Sequence, residues 1–235
     1  MPRIYIGTSG WLYSWNLGGT LDWYLENTQL NAVELNASFY RIPWRNQVQS
    51  WARKGSRIKW AVKIHRTITH IYKLVEKTYR IWDKFYSVFK PLDKITRFYL
   101  LQLPPNYTYT ERNVEKLEKF ATHTQLGTRL AIEYRHPSWL RNNVGAKIAE
   151  RIGATVVSID APIATWIVAT NNIVYLRMHG RKLWYAYDYT YRELEEIADT
   201  ILEINPDEIY IFFNNNHWML ENAQTMKKIL HQKTT

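Results

Sequence analysis

The chain has 235 residues, 46% of them hydrophobic and only 9 Gly and 8 Pro, which excludes a disordered or collagen-like polymer and suffices for one large domain or two small ones. The absence of Cys excludes disulfides, a thiolate metal site and a Cys nucleophile. Lys and Arg total 31 against 21 Asp and Glu, and the resulting net charge of +10 suits a polyanionic partner, phosphate foremost, or equally general solubility or the Lys-rich surface of a thermophile.

Ile4 to Ile6 reads as a short strand ending in Gly7-Thr8-Ser9-Gly10-Trp11, whose glycines allow tight turning but match neither a dinucleotide fingerprint nor a P-loop. Leu21 to Leu30 reads as a helix and Ala32 to Asn36 as the second strand, followed by Phe39, Tyr40 and Arg41. A short helix over Gln47 to Arg53 precedes a third strand, Lys59 to His65. Tyr79 to Phe89 is helical until Pro91, and Phe98 to Leu103 is a strand closed by Pro104-Pro105. Asn113 to Gln125 places Val114, Leu117, Phe120 and Ala121 on one helical face. Leu130 begins a fifth strand that runs into Glu133, Arg135 and His136 before Pro137 stops it.

A helix over Ala146 to Ile152 ends at Gly153, and Thr155 to Asp160 is the sixth strand. No helix is legible between Ala161 and Asn172. Ile173 to His179 is the seventh strand, and Thr190 with Glu193 forms a capping-box signature for the helix that follows. Glu208 to Phe213 is the eighth strand, ahead of a last helix carrying Met226, Ile229 and Leu230. Eight strands alternating with helices, with no linker between them, predict one domain over residues 1–235, an α/β single (β/α)8 TIM barrel, which typically takes about 250 residues. A doubly wound open sheet is the runner-up. No apolar run is long enough to span a membrane and no secretory signal opens the chain, so a cytoplasmic protein is expected.

Side chains two apart on a strand share a face. Glu34 pairs with Asn36, Lys63 with His65, Glu133 with Arg135, Ser158 with Asp160, Arg177 with His179 and Phe212 with Asn214, while Gln102 ends the fourth strand. If the strands are parallel, these residues meet at the C-terminal mouth of the barrel, where barrel enzymes keep their sites. A structural ion-pair network would use the same residues. Asp160 before Ala161-Pro162 also reads as a turn former, His65 and His70 as ordinary loop or core residues, and Trp11 and Trp139 as plugs. Glu34, Glu133, Asp160 and His179 could supply hard metal ligands. Lys63, Arg135 and Arg177 aimed at the same cavity would repel a cation, so no metal and no cofactor are expected.

In order along the chain, Gly7-Thr8-Ser9-Gly10-Trp11, Val33-Glu34-Leu35-Asn36 with Phe39-Tyr40-Arg41, Lys63 with Thr69-His70, and Gln102-Leu103-Pro104-Pro105 form a recognisable set. Ile132-Glu133-Tyr134-Arg135-His136 with Trp139, Arg177-Met178-His179-Gly180-Arg181 and Phe213-Asn214-Asn215 complete it. The set resembles the domain of unknown function 72, or YecE-like, family over almost the whole chain. The resemblance implies a TIM barrel with a polar pocket at the strand C-termini, similar in outline to endonuclease IV and xylose isomerase barrels. The zinc ligands of endonuclease IV do not carry over, because basic residues occupy several strand ends. The chain looks somewhat trimmed, with a short stretch after Gly18-Gly19 and His217-Trp218-Met219 in place of a small, Gly-containing turn.

The functional expectation is a phosphoester or nucleic-acid hydrolase. Lys63, Arg135 and Arg177 would grip an anion directly between them, Glu133 or Glu34 would activate water, and His179 would protonate the leaving group. Asp160 completes the candidate catalytic set. Trp11, Tyr13, Asn36, Tyr40, His70, Gln102, Arg135, His136, Arg181 and Asn214 are the candidate ligand contacts. One rival is a non-catalytic binder of nucleic acid or a phosphometabolite, whose stacking platform would be Trp11, Tyr13, Trp184, Tyr185, Tyr187 and Tyr189. A sugar isomerase-like enzyme is a third reading, by fold analogy alone. The expected partner is a phosphate-containing small molecule or nucleic acid, with no membrane, and the oligomeric state is open.

Overall fold

Eight parallel strands close on themselves in the computed structural model, which describes residues 1–234. They are β1 (Arg3–Thr8), β2 (Ala32–Leu35), β3 (Lys59–Lys63), β4 (Thr96–Gln102), β5 (Leu130–Glu133), β6 (Thr155–Ala161), β8 (Ile173–Met178) and β9 (Glu208–Phe213). Pairing runs in chain order around the circle, and β5 meets β6 while β1 meets β9, so the eight strands close on themselves. This is the (β/α)8 TIM barrel, not the open sheet.

Around it lie α1 (Leu21–Asn27), α2 (Ala37–Tyr40), α3 (Arg45–Lys54), α4 (Thr78–Phe89), α5 (Glu111–Thr124), α6 (Val144–Arg151), α7 (Tyr191–Ile204) and α8 (Met219–Thr234). Each buries one stripe: Trp82, Phe85 and Phe89 of α4, Leu194, Ile197, Ala198 and Ile201 of α7. The capping box of α7 forms as its sequence requires, Thr190 Oγ1 accepting from the Glu193 amide and Glu193 Oε2 from the Thr190 amide at 2.9 Å.

The gap after the sixth strand has a definite cause. In place of a helix, β7 (Ala164–Trp166) turns back antiparallel on β6, and Trp166 to Ala169 pack on the outer core there. Val157 belongs to the inner core of the barrel, so alternation sends Ser158 and Asp160 outward. Ser158 Oγ donates to the Val168 carbonyl at 2.9 Å, satisfying this helix-free wall.

The interior is filled, not hollow. Ala32, Ala61 and Ala131 leave room for Phe98, Tyr175, Tyr210 and Phe212, and the Phe98 ring lies 4.9 Å from Tyr175 and 4.8 Å from Tyr210. Gly7 is required where β1 approaches β2, since a Cβ there would lie 2.1 Å from the Ala32 carbonyl oxygen. These large inner side chains fill the barrel beneath its C-terminal mouth.

Candidate functional site

Inward-facing residues at the ends of β2, β4, β5 and β8 build a buried charge network. Arg177 is its centre and is fully buried. Its Nη2 donates to Glu34 Oε1 at 2.6 Å, and its Nη1 donates to Glu133 Oε2 and to Gln102 Oε1. Glu34 also accepts from Ser9 Oγ and Tyr175 OH, each at 2.8 Å. Arg135 Nε forms an ion pair with Glu133 Oε1 at 2.5 Å, and its Nη2 reaches Gln102 Oε1. Burial alone would raise the Glu133 carboxyl, but the Arg135 and Arg177 guanidiniums hold it well below the usual carboxylate range.

His179 closes the network on one side. Its Nε2 is 3.0 Å from Glu133 Oε1 and 3.1 Å from Arg135 Nη2, and its Nδ1 faces the Asn214 amide at 3.2 Å. Burial, then the Arg135 guanidinium, push its pKa well below the ordinary histidine value, so the ring is neutral. Gly180 follows at φ +102°, and a Cβ there would lie 2.5 Å from Tyr187 Cβ. The turn brings Trp184 over Arg135, the guanidinium 4.3 Å from the ring centroid.

Lys63, at the end of β3, behaves differently. It is buried, yet no carboxylate lies within ion-pair distance and its ammonium donates no hydrogen bond within the described residues. Its nitrogen sits 4.3 Å from the centroid of the Phe39 ring. Burial, then the Arg177 guanidinium, lower its pKa to about 7 despite attraction from Glu34 and Glu133. Lys63 lines a cavity of about 240 Å³ with Tyr13, Asn36, Tyr40, Tyr185, Asn214 and Asn216. A cleft of about 540 Å³ adjoins it, sharing Tyr13, Asn36 and Tyr40 and adding Trp11, Arg41, Trp44 and Trp51. Asn36 Oδ1 is buried there without a hydrogen-bond partner.

The structure thus brings Glu34, Lys63, Glu133, Arg177, His179, Gln102, Arg135 and Asn214 to one mouth, with Tyr13, Asn36 and Tyr40 at the cavity. Trp11 packs edge-on against Trp51 and Trp60 and shows only one face to the cleft. His70 stands edge-on to Phe39 at 4.9 Å, where burial and then Lys63 lower it to about 4.

Several expected positions lie elsewhere. Asp160 points outward because of the β6 parity, and it accepts from Thr165 Oγ1 at 2.5 Å and Tyr189 OH at 2.6 Å. Arg181 follows it there, bonding Asp160 and pairing with Glu193. His136 caps the short 3-10 turn Pro137–Trp139, accepting from the Ser138 amide at 3.2 Å. Both terminal nitrogens of Arg177 donate to Glu34, Glu133 or Gln102. Ser9, Tyr175 and Phe39 are site residues that the strand-end reading passed over. Tyr175 was signalled by standing two positions before Arg177 on the same face. Among the described residues no three His, Asp or Glu side chains gather as a metal-binding group.

A profile described as protein of unknown function DUF72 matches residues 5–235. The chain belongs to the DUF72 family. A DUF72 family protein from Thermotoga maritima MSB8 is 27% identical, with 97% of this chain and 99% of that one covered and a TM-score of 0.83. One from Enterococcus faecalis V583 is 23% identical over 98% of each chain, also with a TM-score of 0.83. Beyond the DUF72 proteins, a D-psicose 3-epimerase from Clostridium cellulolyticum H10 shares the fold at 11% identity, over 98% of each chain, with a TM-score of 0.62. No curated protein sequence matches the chain.

Proposed function

We propose that this DUF72 protein binds a small phosphate-bearing compound, with its polar end in the Lys63 cavity and its phosphate at the outer cleft beside Arg41. The observation that carries the reading is the pair of adjoining cavities, each holding a cation without a carboxylate partner: buried Lys63 inside and exposed Arg41 at the mouth. A desolvated cation recruits an anion or an electron-rich oxygen, and a guanidinium presents paired donors to phosphate. Tyr40 and Trp44, exposed at 68% and 70%, give the body of the ligand flat faces to lie on.

The likeness to sugar-converting barrels lends some support to a sugar-like body, at the level of fold alone. A hydrolase using Glu133 or Glu34 gains nothing from the geometry, because both carboxylates are occupied by arginine, histidine, serine or tyrosine partners. Thermal-shift and calorimetric titrations with sugar phosphates, nucleotides and their dephosphorylated counterparts test the reading. Phosphorylated compounds should bind preferentially, and Arg41→Ala should abolish that preference. Tight binding of oligonucleotides that weakens steeply with salt and ignores Arg41→Ala would support the nucleic-acid binder instead.

A further inference from the structure

We infer that Lys63 is an imine-forming lysine, whose amine attaches covalently to the carbonyl carbon of a small hydroxy-aldehyde or hydroxy-ketone held in the inner cavity. The inference rests on the reading of that cavity as the ligand site, and it adds a covalent step and a substrate class.

A lysine becomes a nucleophile at neutral pH when burial or a second cation removes its proton. Both conditions meet at Lys63. It is 6% exposed, it has no carboxylate partner, and the Arg177 guanidinium lies in the network beneath it. The charges that act on it are Arg177 and Arg135, which oppose protonation, and Glu34 and Glu133, which favour it. His70, lowered to about 4, is neutral near pH 7 and adds no charge. With burial added the balance falls near neutrality, so a substantial share of the amine is free at pH 7.

An ordinary structural lysine in a barrel mouth would be paired. Glu34 and Glu133 are within range of its field, yet both are taken by arginines, so the fold holds the amine apart from the acids that could neutralise it. The Phe39 face on one side and the open cavity on the other leave its nitrogen one direction in which to meet a partner.

The cavity lining defines the other half of the ligand. Asn36 Oδ1 is a buried acceptor with no donor, an unfavourable position unless an O–H or N–H is supplied. Asn214, Asn216 and the hydroxyl-bearing Tyr13, Tyr40 and Tyr185 surround the same space. A carbonyl compound bearing hydroxyl groups satisfies these partners, and about 240 Å³ admits a short one.

The step balances without a further reactant. The Lys63 lone pair adds to the carbonyl carbon, and the carbonyl π pair moves to oxygen, which takes a proton from the nitrogen to give a carbinolamine. Loss of that hydroxyl with the second N–H proton forms the C=N bond and releases one water. Protonation of the imine nitrogen from solvent then gives an electron-withdrawing iminium next to carbons that carry hydroxyl groups.

The test traps the imine in the full-length protein with sodium borohydride, using D-glyceraldehyde 3-phosphate and D-glyceraldehyde as separate probes. Intact mass and peptide mapping report which lysine carries the reduced adduct, so the wild-type protein alone decides the site. Lys63 should be labelled about tenfold faster than any surface lysine at pH 7, with the advantage shrinking as the others lose their protons near pH 10. Lys63→Arg should lose that labelling while leaving surface adducts unchanged. Labelling of Lys63 no faster than that of surface lysines overturns the inference, whether or not the probes bind. Thermal shifts from the phosphorylated probe without Lys63 adduct would leave the phosphate-binding reading standing and remove this one. Selective Lys63 adduct from both probes alike, with no preference for the phosphorylated one, would support this inference and remove the phosphate reading.

Discussion

Two groups of charges share the barrel mouth and have opposite fates. Arg177, Glu34, Glu133 and Arg135 pair with one another in a dry interior, with Gln102, Ser9 and Tyr175 as further partners, although the buried Arg177 Nε makes no hydrogen bond. Lys63, on a neighbouring strand and also buried, is left with an aromatic ring and a cavity. Breaking a buried pair leaves an uncompensated charge, whereas removing an unpaired buried charge relieves a cost. The paired group therefore holds the mouth in shape, and the lysine without a carboxylate is where a ligand can gain the most.

Glu133 is the carboxylate on which both arginines depend. Glu133→Gln strands Arg135 and part of Arg177, and a loss of about 3–5 kcal/mol in urea unfolding is expected. A loss below about 1 kcal/mol would mean the network is not what holds the mouth.

Lys63→Met should act in the opposite direction. The folded-state pKa lies below its ordinary 10.5, so the unfolded chain binds the proton more tightly. The wild-type protein is therefore penalised at low pH, and the penalty fades as pH climbs from about 7 to 10.5. Unfolding curves at pH 6 and pH 10 should show the variant stabilised by about 1–3 kcal/mol at the lower pH and by much less at the higher. Equal stability at both would place the lysine in an ordinary solvated setting.

A smaller effect sharpens the boundary of the site. Asp160→Asn weakens the contacts with Thr165, Tyr189 and Arg181 outside the barrel, and about 1–2 kcal/mol of stability should be lost. Ligand affinity in calorimetry should stay within about twofold, because the side chain points away from the mouth.

The strand–helix alternation made the barrel legible, as did the ends of most strands, because apolar runs ending in Glu34, Lys63, Glu133 or Arg177 leave little choice of face. β6 was not legible in the same way. Thr155 to Ala161 is buried on both faces, so no polar alternation marks which side carries Asp160, and only the neighbours Val157 and Tyr189 decide it. The hairpin in place of a helix after β6 showed in the sequence as a missing helical pattern, but not as a strand. Local spacing could place three cations together. It could not tell which would be claimed by carboxylates, since Arg177 and Glu34 are 143 residues apart. His136 went the other way, its turn-forming bond to Ser138 depending on a proline stop that the sequence did display.

Lys63 is an amine held apart from every acid at the mouth. Heteronuclear NMR of the lysine side chains, with Lys63→Arg to assign the signal, follows its protonation directly across a pH series. Its amine should titrate near pH 7, set by burial and Arg177. A Lys63 signal that stays protonated up to its ordinary value of 10.5 would contradict it.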